Sequence, residues 1–215
     1  MIKSKQRVAK YGEVLTPPHI VKAMLDLVKE ETMRIDSRFL EPACGTGNFL
    51  VEILRRKLEV VDKRYGKSQF DWERYGVLAV SSLYGIDLLE DNVIECRERL
   101  FFIFEERYNT LFGLFTKEEC RRSVRFILAR NIIHGDALSL KTVNNNPTPI
   151  VFSEWSLVNG SMMKRRDFTF EELLNCAPIE GPNLFSDLGE EVFIPRPLRE
   201  YPPVHFLEIA HEYDD

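Results

Sequence analysis

Glu41, Gly45, Gly47 and Asp87 are the residues whose types and spacing could do chemistry together. Glu41 closes a short apolar run, Phe39-Leu40. Pro42-Ala43-Cys44-Gly45-Thr46-Gly47 follows, and an apolar-periodic stretch begins at Phe49. That order reads as strand, tight turn, helix. The two glycines permit backbone conformations that a Cβ forbids, and they let a ligand approach the main chain. A helix starting near Asn48 aims free N–H groups at whatever lies over the loop, which suits an anionic group. Tyr84-Gly85-Ile86-Asp87-Leu88 reads as a second strand ending in a carboxylate. In a doubly wound nucleotide fold an acid at that place accepts hydrogen bonds from ribose hydroxyls. Asp87 lies 46 residues beyond Glu41 (87 − 41), farther than the usual spacing of about 20. A helical stretch over 65–83 accounts for the gap.

The elements that must hold these residues follow from periodicity. Thr16 before Pro17-Pro18 is a helix start, with a capping hydroxyl and proline in the first turn. Ile20, Val21, Met24, Leu25 and Val28 recur at helical spacing, so 17–33 is expected as one amphipathic helix. Residues 1–10 are polar and basic and read as a mobile arm or irregular lead-in. A first strand is expected over 38–42, then a helix over 48–63 and a surface loop over 63–71. A helix over 71–83, the second strand and a helix from Asn92 to Tyr108 come next. Thr116 starts a further helix, and Ile132 to Leu138 forms a third strand and its exit. Asn144 to Pro149 reads as a loop, and Pro149-Ile150-Val151-Phe152 as a fourth strand. This alternation predicts an α/β fold: a mainly parallel twisted sheet with helices on both faces and ligand at the C-terminal ends of the strands.

Composition narrows the class. The chain has 215 residues, 44% hydrophobic and 29% charged, which suits one globular domain with or without an appendage. Cys44, Cys96, Cys120 and Cys176 lie far apart with no CxxC pair, so neither a zinc site nor a disulfide framework is expected, and a reducing cytoplasm is the simple reading. Met1-Ile2-Lys3-Ser4-Lys5 has no apolar stretch behind it and does not read as a signal peptide. No run approaches a membrane span, so no membrane is expected as a partner. Net charge is −5 and the pI about 5.6. A domain that grips DNA unaided carries a basic face. Here only Arg121-Arg122 with Arg125, and Lys164-Arg165-Arg166, form local patches, and both read as solvated surface.

The string Glu41-Pro42-Ala43-Cys44-Gly45-Thr46-Gly47-Asn48-Phe49-Leu50 resembles the cofactor loop of S-adenosylmethionine-dependent DNA methyltransferases that modify adenine at N6. It matches neither the nicotinamide nor the phosphate-loop glycine pattern. Gly12-Glu13-Val14-Leu15-Thr16-Pro17 resembles the element preceding that loop in the family, whose Thr-Pro turn meets the methionine end of the cofactor. Gly135-Asp136-Ala137-Leu138 resembles the family's third cofactor element. The resemblance covers about residues 10–140 and implies a Rossmann-like methyltransferase fold. It implies that Gly45, Gly47 and Asn48 line the methionine part, that Thr16 and Glu41 orient the amino-acid end, that Asp87 holds the ribose, and that Asp136 accepts from the adenine amino group. Tyr11, Ala43, Phe49, Leu88 and Ala137 complete the implied S-adenosyl-L-methionine site. His134 reads as strand packing rather than a catalyst, and no metal is implied.

The family also uses Asn/Asp-Pro-Pro-aromatic after the next strand to hold the target amino group and stack on an extruded base. Asn146-Pro147-Thr148-Pro149 does not match it: threonine splits the prolines, no aromatic follows and no strand precedes. By position, Ser153-Glu154-Trp155-Ser156 stands in its place. A carboxylate and an indole there could accept an N–H and stack on a base, which makes Ser153, Glu154 and Trp155 the candidate catalytic residues; alternatively Trp155 covers the core. Six of the eleven prolines fall between Ala177 and Pro203, which reads as an extended or partner-docked tail. The expected organisation is an arm over 1–16, a cofactor-binding domain over 17–176, and a proline-rich, acidic tail over 177–215. Two readings of function follow. One is a restriction-modification-type methyltransferase that reaches DNA through a partner DNA-recognition subunit. The other is a catalytically inactive S-adenosylmethionine-binding or interaction subunit.

Overall fold

Two sheets of opposite character divide the chain near residue 140. The computed structural model describes residues 5–11, 13–175 and 195–213. The N-terminal arm is a helix, α1 (Lys5–Tyr11), rather than an irregular lead-in. Its Lys, Gln, Arg and Ala are good helix formers, and Arg7 docks it, as described below. α2 (Pro18–Asp26) begins with proline in its first turn, but Pro17 is the N-cap and no side-chain cap bond is made, so the Thr16 hydroxyl does not cap. The expected helix over 17–33 is two. Val28 leaves helical geometry (φ −120°, ψ 36°) before α3 (Lys29–Met33). After Val21 and Leu25 the next buried positions are therefore Thr32 and Ile35, while Leu27 is exposed.

β1 (Phe39–Glu41), α4 (Asn48–Tyr65), α5 (Gln69–Ser81) and β2 (Leu83–Asp87) follow. The expected loop over 63–71 shrinks to residues 66–68, because Ser68 caps α5 by accepting from the Asp71 N–H at 3.3 Å. α6 (Glu90–Phe112), a 3₁₀ turn, α7 (Glu118–Asn131), β3 (Ile132–Asp136) and β4 (Lys141–Thr142) complete the first sheet. Its order is β1-β2-β3-β4, with the first three strands parallel and β4 antiparallel to β3. Leu83 and Ile132 face the main core, which they share with Leu50, Leu54, Leu58, Trp72 and Phe104 of the helices. Tyr84 and Ile86, on the alternate face, pack with Ile150, Phe152 and Phe170.

The rest departs from the expected pattern. The apolar run at 149–152 does not add a fourth parallel strand. It opens β5 (Val151–Leu157), which pairs antiparallel with β6 (Met162–Thr169) along seven residues of each strand, from Val151↔Thr169 to Leu157↔Met163. Asn159-Gly160, with Gly160 at φ +64°, supplies the turn. The sheet system is thus partly antiparallel, and where a layer of helices was expected, the second face of the parallel sheet receives this hairpin and α8 (Phe170–Asn175). Part of the expected tail is folded as well. β7 (Arg199–Glu200) and β8 (Val204–His205) both pair with β6, and Tyr201, Phe206, Ile209 and Tyr213 are buried, the last two in and just after α9 (Ile209–Glu212). Four aromatic or aliphatic side chains at those spacings supply the apolar surface that a solvated tail lacks. Residues 176–194, which hold Cys176 and the first part of the expected tail, lie outside the described residues. No helix among the described residues is long and apolar enough to cross a membrane.

Candidate functional site

A cavity of about 510 Å³ lies over the C-terminal ends of β1, β2 and β3. Each strand delivers a carboxylate: Glu41, Asp87 and Asp136 all line it. The register steps each carboxylate two residues beyond the last, since Glu41 is paired with Gly85 and Asp87 with His134, and an offset of two keeps all three on one face of the sheet. The loop after β1 contributes Pro42, Ala43, Cys44 and Gly45, and the first turn of α4 contributes Asn48 and Phe49. Leu88 and Leu89 follow β2; Gly135, Ala137 and Leu138 flank Asp136; and residues 13–16 form the wall opposite.

The loop is held by contacts that explain its glycines. Gly45 sits at φ +52° with a would-be Cβ 3.0 Å from Leu15 Cδ2, and Gly47 at φ +83° with one 2.5 Å from Cys96 Sγ. Gly47 therefore seats the loop on α6 and does not line the cavity. The Cys44 thiol hydrogen-bonds with Cys96 and is buried, and both effects push its pKa up, so it remains a neutral thiol.

Asp87 is fixed by three donors: the Gly45 N–H at 2.8 Å, the Leu89 N–H at 2.9 Å and Asn92 Nδ2 at 3.1 Å. A carboxylate has about four acceptor positions, so one remains for a hydroxyl. Glu41 is half-buried, and desolvation, partly offset by a backbone bond at Ala43, raises its pKa. A cationic group beside it would restore its charge. Asp136 accepts the Leu138 N–H at 2.9 Å through Oδ1. That bond, with those of Ser139, holds its pKa below the usual carboxylate range. His134 Nε2 bonds the Leu88 carbonyl at 3.1 Å, a link between strand ends.

Sequence reasoning missed Glu13 and Asn92. Both line the cavity, and Asn92 Nδ2 donates to Glu13 at 2.7 Å. Arg7 of α1 clamps this pair: it donates to both Glu13 oxygens, to both Asp91 oxygens and to Asn92 Oδ1. The bonds to Asp91 and Glu13 raise the Arg7 pKa. The residue types alone, an acid in Gly-Glu-Val-Leu and Asn92 in the first turn of α6, carried no signal of pairing across more than seventy residues. Tyr11 ends α1, and its side chain is outside the described residues.

Ser153, Glu154 and Trp155 are not brought to this cavity. They lie mid-strand in β5, where alternation sends Ser153 and Trp155 one way and Glu154 the other. Ser153 donates to Asp167 at 2.7 Å, and Trp155 Nε1 donates to Asn131 at 3.1 Å; both side chains are buried. Glu154 pairs with Arg38 and with Arg166 (2.6 Å) beside a separate cavity of about 350 Å³ between the two sheets. Arg165, expected on a solvated patch, is 2% exposed; it bonds Asp167 and stacks over Tyr201.

Fold and site thus define an α/β protein with a polar-ended cavity at the C-terminal edge of a parallel sheet. Residues 2–77 match the N-6 DNA methylase family, a span that holds α1 to α4, β1, the glycine loop and most of α5. The match supports the resemblance to N6-adenine DNA methyltransferases. Comparison with curated proteins and with solved structures gave no match.

Proposed function

We propose that the cavity binds S-adenosylmethionine, and that the chain is the cofactor-holding part of an N6-adenine DNA methyltransferase that meets DNA through a partner subunit. The observation that carries this reading is the convergence of Glu41 and the glycine loop, inside the matched span, with Asp87 and Asp136, beyond it, on one cavity. The residues fit the group. Desolvated Glu41 suits a cationic amino-acid end, the open acceptor position of Asp87 suits a ribose hydroxyl, and the Asp136 carboxylate, held ionised at the cavity edge, suits an adenine amino group. Apolar Phe49, Leu88 and Leu138 line the space between, and the volume suits a ligand of this size. When bound, the cofactor supplies an activated methyl group on a sulfonium. The chain supplies orientation, with Asp87 and Asp136 fixing the nucleoside and Glu41 attracting the amino acid.

A second reading, a cofactor-binding subunit that transfers no methyl group, is favoured by one observation. The residues that take the place of the family's base-holding element are bonded away from the cavity, Ser153 to Asp167 of β6 and Trp155 to Asn131 of α7. Transfer of tritiated methyl from S-adenosylmethionine to unmethylated genomic DNA, by the chain together with the proteins that co-purify with it, separates the two. Label in DNA that falls at least tenfold with Asp136→Ala supports the enzyme. No label, with the cofactor still raising the melting temperature, supports the subunit.

A further inference from the structure

We propose that Arg99, a residue outside the cavity, is a positioning residue that locks the arm carrying Thr16 onto the glycine loop, and that Asn48 relays the lock. Arg99 projects from α6, one heptad beyond Asn92. Its Nη1 donates to the Thr46 carbonyl, to Thr46 Oγ1 at 2.9 Å and to Asn48 Oδ1 at 2.9 Å. Thr46 is buried. On its other side Asn48 donates through Nδ2 to the Thr16 carbonyl at 2.9 Å.

The chemistry permits one arrangement. A guanidinium only donates, so the amide oxygen of Asn48 must face Arg99. Its NH₂ is then committed to the far side, where the acceptor is the Thr16 carbonyl. Thr16 is followed by two prolines, which offer the cavity wall no backbone N–H of their own. Side chains tether the arm at 13–16 at both ends. Arg7 and Asn92 hold its Glu13 end, and Asn48, oriented by Arg99, holds its Thr16 end. The inference deepens the cofactor reading and rests on it for one prediction: the Thr16 wall serves the amino-acid end of the ligand, so Arg99 governs affinity for S-adenosylmethionine and not for adenosine.

The test uses the full chain with Arg99→Met, Arg99→Lys and Asn48→Asp. Amide hydrogen exchange read by mass spectrometry reports the lock without any ligand. Arg99→Met is expected to speed exchange at least tenfold over residues 13–16 and leave β5 and β6 unchanged, with Arg99→Lys restoring part of the protection. Asn48→Asp keeps an acceptor for Arg99 but turns a carboxylate oxygen on the Thr16 carbonyl, so it should loosen 13–16 alone. Unchanged exchange over 13–16, or loosening spread over the whole chain, would overturn the lock. Calorimetry then reads the ligand: Arg99→Met should weaken S-adenosylmethionine at least tenfold and adenosine less than twofold. Equal weakening of both would overturn the positioning role. A wild-type chain that binds neither, with exchange responding as stated, would sink the cofactor reading and leave the lock standing.

Discussion

At the scale of single residues, the site rests on backbone geometry and desolvated charge. Gly47 combines a left-handed φ with a Cβ position 2.5 Å from Cys96 Sγ. Gly47→Ala adds backbone strain and a core clash, together worth roughly 2–4 kcal/mol; a denaturant titration should show that loss, and an unchanged midpoint would mean that the loop does not seat on α6 as described. Glu41 gives a pH signature. Its pKa is raised by burial, so above the ordinary carboxylate range part of the population is still protonated in the free protein. A cationic ligand favours the ionised form and expels that proton. S-adenosylmethionine affinity should therefore fall as pH drops through the raised pKa, with proton release visible when calorimetry is repeated in buffers of different ionisation enthalpy. Glu41→Gln should bind more weakly at neutral pH and lose this dependence. Such residues were legible in the sequence because each sits at a fixed offset from a strand end. Glu13, Asn92 and Arg99 were not, because their role comes from packing between segments far apart along the chain.

At the scale of elements, a mid-chain hairpin replaces the strand that the family pattern leads one to expect. The signal was present: Asn159-Gly160 between β-rich runs is a strong hairpin cue. The basic triplet Lys164-Arg165-Arg166 hid it, since a charge run reads as solvated loop. Arg165 is instead buried against Asp167 and Tyr201, which made β6 illegible from composition. Trp155 belongs to that core, so Trp155→Ala should destabilise the protein by about 3–5 kcal/mol and leave cofactor affinity unchanged; affinity lost without a loss of stability would return Trp155 to the site. A second element-level device precedes β1. Lys57 of α4 is buried and donates to the carbonyls of Ile35 (3.2 Å) and Ser37 and to Ser82 Oγ (2.5 Å), stapling the approach to the strand. Burial pushes its pKa down to about 7 from an ordinary value of 10.5. Between those values the unfolded chain holds a proton that the folded chain does not, so stability rises with pH across that window. Urea unfolding at pH 7.5 and 9.5 should show the rise, and Lys57→Met should flatten it.

At the scale of the whole molecule, the parallel half holds the cavity, Ile150, Phe152 and Phe170 of the second half cover the other face of the same sheet, and residues 201–213 pack from β6 into the main core beside the helices. The alternation of apolar runs made the first half readable because each strand and helix buries its own periodic stripe. The second half depends on pairings between β6 and strands more than thirty residues away, which no local pattern reports. Cofactor binding in the cavity is read most directly by titration calorimetry of S-adenosylmethionine into the full chain, wild type and Asp136→Ala. One site per chain is expected, with at least tenfold weaker binding in the variant, whose fold should be intact because Asp136 lies at the end of β3, outside the core. Absence of binding by the wild type at millimolar ligand, or equal binding by both proteins, would contradict cofactor binding there.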